Sequence, residues 1–384
     1  MSTKTTFLLT LLLALTVTSP VFAQKGNRSN NSKNPHNTTE EVSSLKCKAP
    51  AFLRPGDKIA LITPSYSVSS ERINQAAAVI RSWGFVPVIG AYADGTDHGM
   101  YSGTDKERLT DLRWALRDTT IKAIICNRGG YGAIHFYGRL KSSELADSPK
   151  WIVGFSDITT LHCMEAASGV MSIHGTIGSH IAFTGGTDAT CTVIRDLLTG
   201  TIPQYELPSH PLNRKGHAEG TLVGGNLSTF IPLLGSQMDC LKNKDIILFI
   251  EEVGETMHHI DRMFNMLRIH GVLSRCKGVI LGDFSDIDND IDYPSVEALF
   301  LTYLQKNNIP VVCGFPGGHC KLNLPLVMGA PVTLDVRNDG ASLVFNIDGP
   351  TTVVDTKRLT DSLAASQPKK THYSKSSKSK KRRR

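Results

Sequence analysis

Short apolar runs alternate with amphipathic stretches along the first half of the chain. The apolar runs are typical of buried strands and are KIALIT (58–63), FVPVI (85–89), AIIC (123–126) and WIVGF (151–155). The amphipathic stretches predict three helices. One spans 70–83, the second begins at the capping-box pair Thr104 and Glu107 and ends near Arg117, and the third runs from Asp157 to about Ala167. Strands that alternate with helices in this way predict a mostly parallel sheet in an α/β domain at 47–200.

The pattern changes after residue 200. A polar segment that contains Pro and His occupies 201–219 and is interpreted as a linker. Strand-like runs predominate beyond it, and they are GTLVGG, IILFIEE (246–252), GVILGDFSD (278–286), VVCGF (311–315), VTLDV and SLVFNID. Helices are expected between some of them, one ending near His270 and one around 295–306. We therefore predict a β-rich α+β C-terminal domain at 220–358.

The two ends of the chain differ from this folded part. Lys4 precedes an apolar run from Phe7 to Val17 and a small-residue end at Ala23, as in a cleaved secretory signal at 1–23. Residues 24–46 are polar and Asn/Ser-rich and are predicted to be flexible, and 359–384 is predicted to be a disordered basic tail. We expect an exported protein, periplasmic or in the cell envelope, cleaved between Ala23 and Gln24.

The charge and the cysteines narrow the range of functions. The net charge is +7, but residues 369–384 carry nine Lys/Arg and no acid, so the other 368 residues carry +7 − 9 = −2. A folded part without excess positive charge argues against specific nucleic-acid binding. For the tail we favour a solvated end, and contact with anionic wall polymers or a membrane surface is the functional alternative. The eight cysteines form no CxxC pair and are expected to be mostly buried free thiols.

The first candidate for chemistry is Ser156, which lies where the strand WIVGF runs directly into a helix. A serine at such a turn presents its hydroxyl at the carboxyl edge of the sheet, where ligands bind in open α/β folds. The next amide, on Asp157, points from the start of the helix toward an anion formed there. The motif GFSD lacks the second glycine of a nucleophile elbow, and the alternative is that Ser156 only caps the helix.

Three further motifs follow apolar strands. NRGGYG at 127–132 has glycines that allow backbone amides to approach a ligand, although a tight turn without a ligand is the alternative. Glu251 and Glu252 end a strand and must point to opposite faces, so only one of them can face a given site. His319 lies on a Gly-Gly loop after VVCGF and is free to act as a base, although a solvent-exposed loop histidine is the commoner case.

A metal centre is not expected. His258, His259 and Asp261 lack the spacing of the zinc proteases and fit the start of a helix. We therefore predict no metal and no other cofactor.

The order of these motifs resembles the LD-carboxypeptidase family of serine peptidases, which includes murein tetrapeptide carboxypeptidases and microcin-immunity enzymes. The motifs are NRGGYG, GFSD, GGNLS, FIEEVGE and PGGHxxxNLPL, and the resemblance spans about 47–340. It implies a Rossmann-like α/β domain followed by a β-rich domain, a homodimer, and a site that needs no metal. It also implies a catalytic triad of Ser156, His319 and Glu251, with Glu252 as the less favoured glutamate.

The activity implied by this resemblance is a serine carboxypeptidase that acts on peptidoglycan tetrapeptides. It would cleave the L,D-peptide bond and release the terminal D-alanine through an acyl-enzyme. The amides of Asp157 and Gly130 are candidates for the oxyanion hole, and Arg128 and Asn226 are candidates for substrate binding. Export argues against the family's other activity, cleavage of peptide–nucleotide antibiotics made in the cytoplasm. A non-catalytic protein that captures wall peptides is the remaining alternative.

Overall fold

The computed structural model describes residues 44–95 and 98–365, all in one structural unit. The predicted signal, most of the predicted flexible N-terminus and the basic tail from residue 366 lie outside the described residues. The strands are β1 (Lys58–Ile62), β2 (Val86–Ile89), β3 (Ile121–Cys126), β4 (Trp151–Gly154), β5 (Ser172–His174), β6 (Ile202–Pro208), β7 (Gly216–Asn226), β8 (Ile246–Val253), β9 (Cys276–Ser285), β10 (Val311–Cys313), β11 (Leu326–Met328), β12 (Pro331–Val336), β13 (Gly340–Phe345) and β14 (Thr351–Asp355).

Helices connect most of these strands. The α-helices are α1 (Ser70–Ser82), α2 (Asp105–Arg117), α3 (Ser142–Ala146), α4 (Thr159–Ala167), α5 (Gly178–Thr184), α6 (Ala189–Leu198), α7 (Leu227–Phe230), α8 (Met257–Ile269), α9 (Val272–Arg275), α10 (Val296–Tyr303) and α11 (Thr356–Ala365). Short 3₁₀ turns occupy Ala133–Phe136, Ser156–Ile158, Ile231–Leu233 and Cys240–Lys242. None of the described helices has both the length and the apolar character needed to span a membrane.

The first sheet has the strand order β11-β5-β4-β3-β1-β2, and all of its pairs are parallel except β11 with β5. Its central strands β1, β3 and β4 are mostly apolar, as expected where helices cover both faces of a sheet. In β1, Ile59 and Leu61 join the core that holds α1 and α6, whereas Ala60 and Ile62 join the core that holds α2 and α4. The capping box of α2 is present at Thr104 and Glu107, as predicted.

The second sheet has the order β10-β9-β8-β7-β12-β13-β6-β14. Strands β7 to β10 pair in parallel, whereas β12 pairs antiparallel with β7 and β13. Side chains of β8 alternate: Leu248 and Ile250 pack with α8 and α10, whereas Phe249 faces the core that continues into the first sheet. The prediction of an α/β fold with a β-rich α+β second half is confirmed.

Three features of the chain differ from the expected boundaries. The segment 201–219 is not only a linker, because β6 pairs with both β13 and β14 and buries Tyr205 completely. Two prolines obscured this strand, since proline usually marks turns; here they stand at its second and last positions. Strand β11 returns to the first sheet from within the second half of the chain. Helix α11 occupies the first part of the predicted tail, up to Ala365.

The cysteines are free thiols. Six of them are buried as expected, and they are Cys126, Cys163, Cys191, Cys240, Cys276 and Cys313. Cys47 and Cys320 are half-buried.

Candidate active site

Ser156 begins the 3₁₀ turn that joins β4 to α4 and has a φ of 63°. A non-glycine residue in this left-handed region is strained and is often found at a functional site. The turn packs closely against Gly129 of the glycine loop. A Cβ on Gly129 would lie 2.8 Å from Cβ of Ser156, which is closer than such atoms approach. The capping alternative is wrong, because no side-chain capping bond is made at the start of the 3₁₀ turn or of α4. Ser156 is half-buried at the edge of the sheet, and its hydroxyl does not cap the helix.

His319 and Glu251 form a hydrogen-bonded pair. Nδ1 of His319 lies 2.8 Å from Oε2 of Glu251, whose side chain is fully buried, whereas that of His319 is 21% exposed. The loop can approach the strand end because residue 318 is glycine: a Cβ there would lie 2.7 Å from Cβ of Glu251. The amide of Gly318 also donates to Asn323, at 2.8 Å, and this bond fixes the loop that carries the histidine.

The histidine lies next to the nucleophile turn. The rings of Phe155 and His319 have their centroids 5.0 Å apart, so the residue that precedes Ser156 packs on the imidazole. Within the described part of the chain no hydrogen bond joins Ser156 to His319. Hydrogen bonds between catalytic groups are often long before substrate binds and shorten in the complex.

Burial and charge determine the protonation of this pair. Burial lowers the pKa of His319, but the hydrogen bond and the negative charge of Glu251 outweigh it and hold that pKa above its ordinary value. Burial raises the pKa of Glu251, and His319 partly offsets this effect. With Glu251 ionised, Nδ1–H of His319 donates to the carboxylate, which leaves Nε2 as the proton acceptor.

Glu252 has different partners. Its carboxylate accepts from Nδ2 of Asn226 at 3.0 Å and from the amide of Ser228 at 2.7 Å. The two glutamates thus face different groups, as the alternation along a strand requires. The geometry pairs His319 with Glu251, the glutamate favoured from the sequence.

Asn226 is buried and its polar atoms are already engaged. Besides its bond to Glu252, its Oδ1 accepts from Ser228 and Thr229 and caps the short helix α7. The side chain therefore organises the GGNLS loop. Ser228, the last residue of this loop, and Thr229, which follows it in α7, line a cavity. Of the GGNLS motif, sequence reasoning singled out the side chain of Asn226 and not that of Ser228.

The glycine loop and the nucleophile turn share a cavity of 370 Å³. Gly130 and Asp157, whose amides are the predicted oxyanion donors, both line it, together with Ser228 and Thr229. Gly130 has a φ of 112°, and a Cβ there would overlap the ring of Tyr66. Only glycine therefore suits this position.

The side chain of Asp157 holds the two loops together. It is buried and accepts from the hydroxyl of Ser65 at 2.5 Å and from the amide of Ala133 at 2.8 Å. Burial raises the pKa of Asp157, and these hydrogen bonds oppose that effect. The predicted role of Asp157 rested on its amide alone, and the structure adds this bridging role for its carboxylate.

Arg128 lies at the start of the glycine loop and is exposed. Its Nη1 donates to the carbonyl of Ser67 at 3.2 Å, and its guanidinium lies 5.7 Å from the centre of the Tyr66 ring. It faces a second cavity, distinct from the one that Gly130 lines.

The histidines considered for a metal site are engaged elsewhere. His258 contacts Asp290, and Nδ1 of His259 lies 2.9 Å from Oε2 of Glu255. Among the described residues, the cluster with metal-ligand spacing is His180, Asp188 and Cys191, whose ligand atoms lie within 4.8 Å of one another. His180 and Asp188 are hydrogen-bonded at 2.6 Å, and the second oxygen of Asp188 caps α6.

A strained serine at a strand-to-helix turn, beside a histidine paired with a buried glutamate, is typical of serine hydrolases built on an α/β fold. The comparisons with known proteins identify the family. Residues 59–175 match the LD-carboxypeptidase N-terminal domain and residues 219–334 match the LD-carboxypeptidase C-terminal domain. The chain belongs to the LD-carboxypeptidase family and is an enzyme of the carboxypeptidase class.

Individual relatives support this membership. A Synechocystis sp. protein named as a carboxypeptidase is 34% identical, over 77% of this chain and 96% of the relative. A Bacillus subtilis protein named as a probable murein peptide carboxypeptidase is 30% identical, over 78% of this chain and 95% of the relative. The crystal structure of muramoyltetrapeptide carboxypeptidase from Oxalobacter formigenes has a TM-score of 0.68 at 28% identity, covering 77% of this chain and 100% of the other.

Proposed function

We propose that the protein is a serine carboxypeptidase that releases the terminal D-alanine from peptidoglycan tetrapeptides by cleaving the L,D-peptide bond. The observation that carries this proposal is the 2.8 Å hydrogen bond between His319 and the buried Glu251, next to the strained Ser156 turn. The names of the relatives, which refer to murein and muramoyl peptides, support the choice of substrate.

His319 is the general base in this mechanism. A serine hydroxyl is a weak nucleophile until a neighbouring base accepts its proton. Nε2 of His319 takes the proton of Ser156 as Oγ attacks the scissile carbonyl. Glu251 holds the ring in the required tautomer and stabilises the imidazolium that forms. His319 then donates the proton to the amine of D-alanine as the C–N bond breaks.

The amides of Asp157 and Gly130 are the proposed donors to the oxyanion of the tetrahedral intermediate. Both residues line the 370 Å³ cavity, and the carboxylate of Asp157 fixes the loop that carries Gly130 through the amide of Ala133. Donors that are held in place before the reaction stabilise the developing charge without reorganisation, and each is typically worth about 3–4 kcal/mol of barrier. Water then hydrolyses the acyl-enzyme, with His319 again acting as base.

The test is release of D-alanine from a purified muropeptide tetrapeptide, followed by mass spectrometry of the products. We expect release by the wild type, none by Ser156→Ala, and full activity for the control Ser82→Ala, which removes an exposed hydroxyl on α1. Unchanged release by Ser156→Ala would refute the mechanism. Tight peptide binding without turnover by the wild type would favour the non-catalytic alternative.

We also propose that the protein is exported. The sequence pattern at 1–23 supports this proposal, and export would bring the enzyme to the peptidoglycan. Cell fractionation followed by N-terminal sequencing should find a mature chain that begins at Gln24 outside the cytoplasm. A cytoplasmic chain that begins at Met1 would refute it.

The homodimer and the role of the basic tail are further proposals. Light scattering coupled to gel filtration should give twice the mass of one chain, and a monomer would contradict the first. The wild type should bind anionic vesicles or wall polymers more tightly than a chain that ends at residue 368. Equal binding would leave the tail as a solvated end.

A further inference from the structure

Two separate cavities flank the glycine loop. One holds Gly130 and Asp157, the proposed oxyanion donors. The other has a volume of 440 Å³, lies between α1, α5 and the second residue of the loop, and includes Arg72, Arg128, Ser179 and His180 in its wall. No role in the reaction described above uses this second cavity, which we call the arginine cavity.

The wall of the arginine cavity has positive charge that is not neutralised. It contains two guanidinium groups and no carboxylate among the described residues. Within residues 44–95 and 98–365 neither Arg72 nor Arg128 is in an ion pair, and the side chain of Arg72 has no hydrogen-bond partner there. His180 is hydrogen-bonded to Asp188 at 2.6 Å.

Arg128 is held in place although it has no anionic partner. One of its nitrogens donates to the carbonyl of Ser67, and the guanidinium lies beside the ring of Tyr66. A guanidinium has five N–H donors, so donors remain for a ligand. Ser67 and Ser179 supply further hydroxyls to the same wall.

The arginine cavity is close to the nucleophile. Gly129 follows Arg128 directly, and a Cβ on Gly129 would lie 3.1 Å from Oγ of Ser156. The amide of Ser179 donates to the carbonyl of Asn127 at 3.0 Å, so α5 is joined to the start of the same loop. The loop that supplies Arg128 to the cavity wall therefore contacts the nucleophile turn.

We propose that the arginine cavity binds a carboxylate of the substrate through Arg72 and Arg128. Arginine suits this role because its planar fork matches the two oxygens of a carboxylate. The inference rests on the proposed function, since it concerns the substrate of that reaction. The proposal concerns the carboxylates of the two residues on either side of the scissile bond: the terminal carboxylate of D-alanine and the side-chain carboxylate of a diaminopimelate residue. The third carboxylate of such a tetrapeptide, on the D-glutamate residue, is present in all of the peptides compared below.

Three tetrapeptides distinguish these sources. They are the diaminopimelate peptide ending in D-alanine, the same peptide ending in D-alaninamide, and a peptide with lysine in place of diaminopimelate. For the first peptide, Arg72→Gln and Arg128→Gln should each raise KM about tenfold to a hundredfold, with kcat changed much less. The loss should disappear with D-alaninamide if the terminal carboxylate is bound, and with lysine if the side-chain carboxylate is bound.

Arg81→Gln is the matched control, because it removes the same charge from an exposed position at the other end of α1, outside the cavity. Losses of equal size on all three peptides, or no loss beyond that of Arg81→Gln, would overturn the proposal. We also expect KM to rise steeply with salt concentration for the wild type and only slightly for the two cavity variants, because salt screens exposed charges.

Failure of the proposed function has a different signature. If the wild type releases no D-alanine from any peptide, the reaction is wrong, but calorimetry on Ser156→Ala still tests the cavity. The first peptide should then bind that variant, and the further change Arg72→Gln should weaken binding tenfold or more. Equal affinity with and without Arg72 would refute the carboxylate site independently of turnover.

Discussion

Glu251→Gln removes the negative charge beside His319 while keeping the size of the side chain. In the wild type, the imidazolium that forms during catalysis lies against a fully buried carboxylate, with 2.8 Å between the bonded atoms. Two unit charges about 4 Å apart attract by about 4 kcal/mol at an effective dielectric constant of about 20. Loss of this attraction corresponds to roughly a thousandfold lower kcat. Measurement of D-alanine release under saturating peptide tests this value.

The pH profile gives a second readout of the same change. His319 must be neutral to act as a base, so kcat/KM falls as the pH decreases through its pKa. In the wild type, Glu251 holds the pKa of His319 above the ordinary value, which is about 6.5, so the acid limb should lie above that value. In Glu251→Gln only the lowering effect of burial and weaker charges remain, and the acid limb should move to lower pH.

Glu252→Gln is the control for this experiment. Glu252 is also buried, but it bonds Asn226 and Ser228 and acts on His319 only through its charge. We expect a smaller shift of the acid limb in the same direction and less than a tenfold loss of kcat. The reasoning is refuted if Glu251→Gln retains wild-type kcat and pH profile, or if Glu252→Gln has the larger effect.

Three further substitutions test the nucleophile turn and the glycine loop. Ser156→Gly should abolish turnover and raise the unfolding free energy by about 1 kcal/mol, because glycine relieves the positive φ; a lower melting temperature would contradict this. Gly130→Ala should reduce kcat at least tenfold, because the new Cβ would overlap Tyr66 and displace an oxyanion donor. Unchanged kinetics would argue against the amide of Gly130 as that donor. Asp157→Asn should lower the unfolding free energy by about 1–3 kcal/mol, because the amide offers a weaker acceptor to Ser65 and Ala133. Denaturant titration measures this, and an unchanged unfolding free energy would exclude the bridging role.

Features that depend on neighbours in the sequence could be predicted without the structure. The capping box at Thr104 begins α2, and the passage from an apolar strand into a helix located the turn at Ser156. Alternation along a strand showed that Glu251 and Glu252 face different groups, but it did not show which of them faces His319. That choice came from the family resemblance, and the hydrogen bond in the structure agrees with it.

Features that depend on distant parts of the chain could not be predicted in this way. Strand β6 was interpreted as a linker because its prolines suggest turns, and its two neighbours in the sheet come from more than 130 residues further along the chain. Arg72 lies in the amphipathic stretch at 70–83, and only the packing of α1 next to the glycine loop puts it in a cavity with Arg128.

The end of β8 connects the base to the substrate cavity. Glu251 orients His319, while the next residue, Glu252, accepts from Asn226 and from the amide of Ser228. Asn226 also stands opposite Glu251 in the parallel pairing of β7 with β8, so the two strand ends are fixed together. A displacement of this edge would therefore move the histidine and the cavity wall at Ser228 at the same time. For this reason we expect substitutions of Asn226 to raise KM and lower kcat together, unlike Arg72→Gln, which should act mainly on KM.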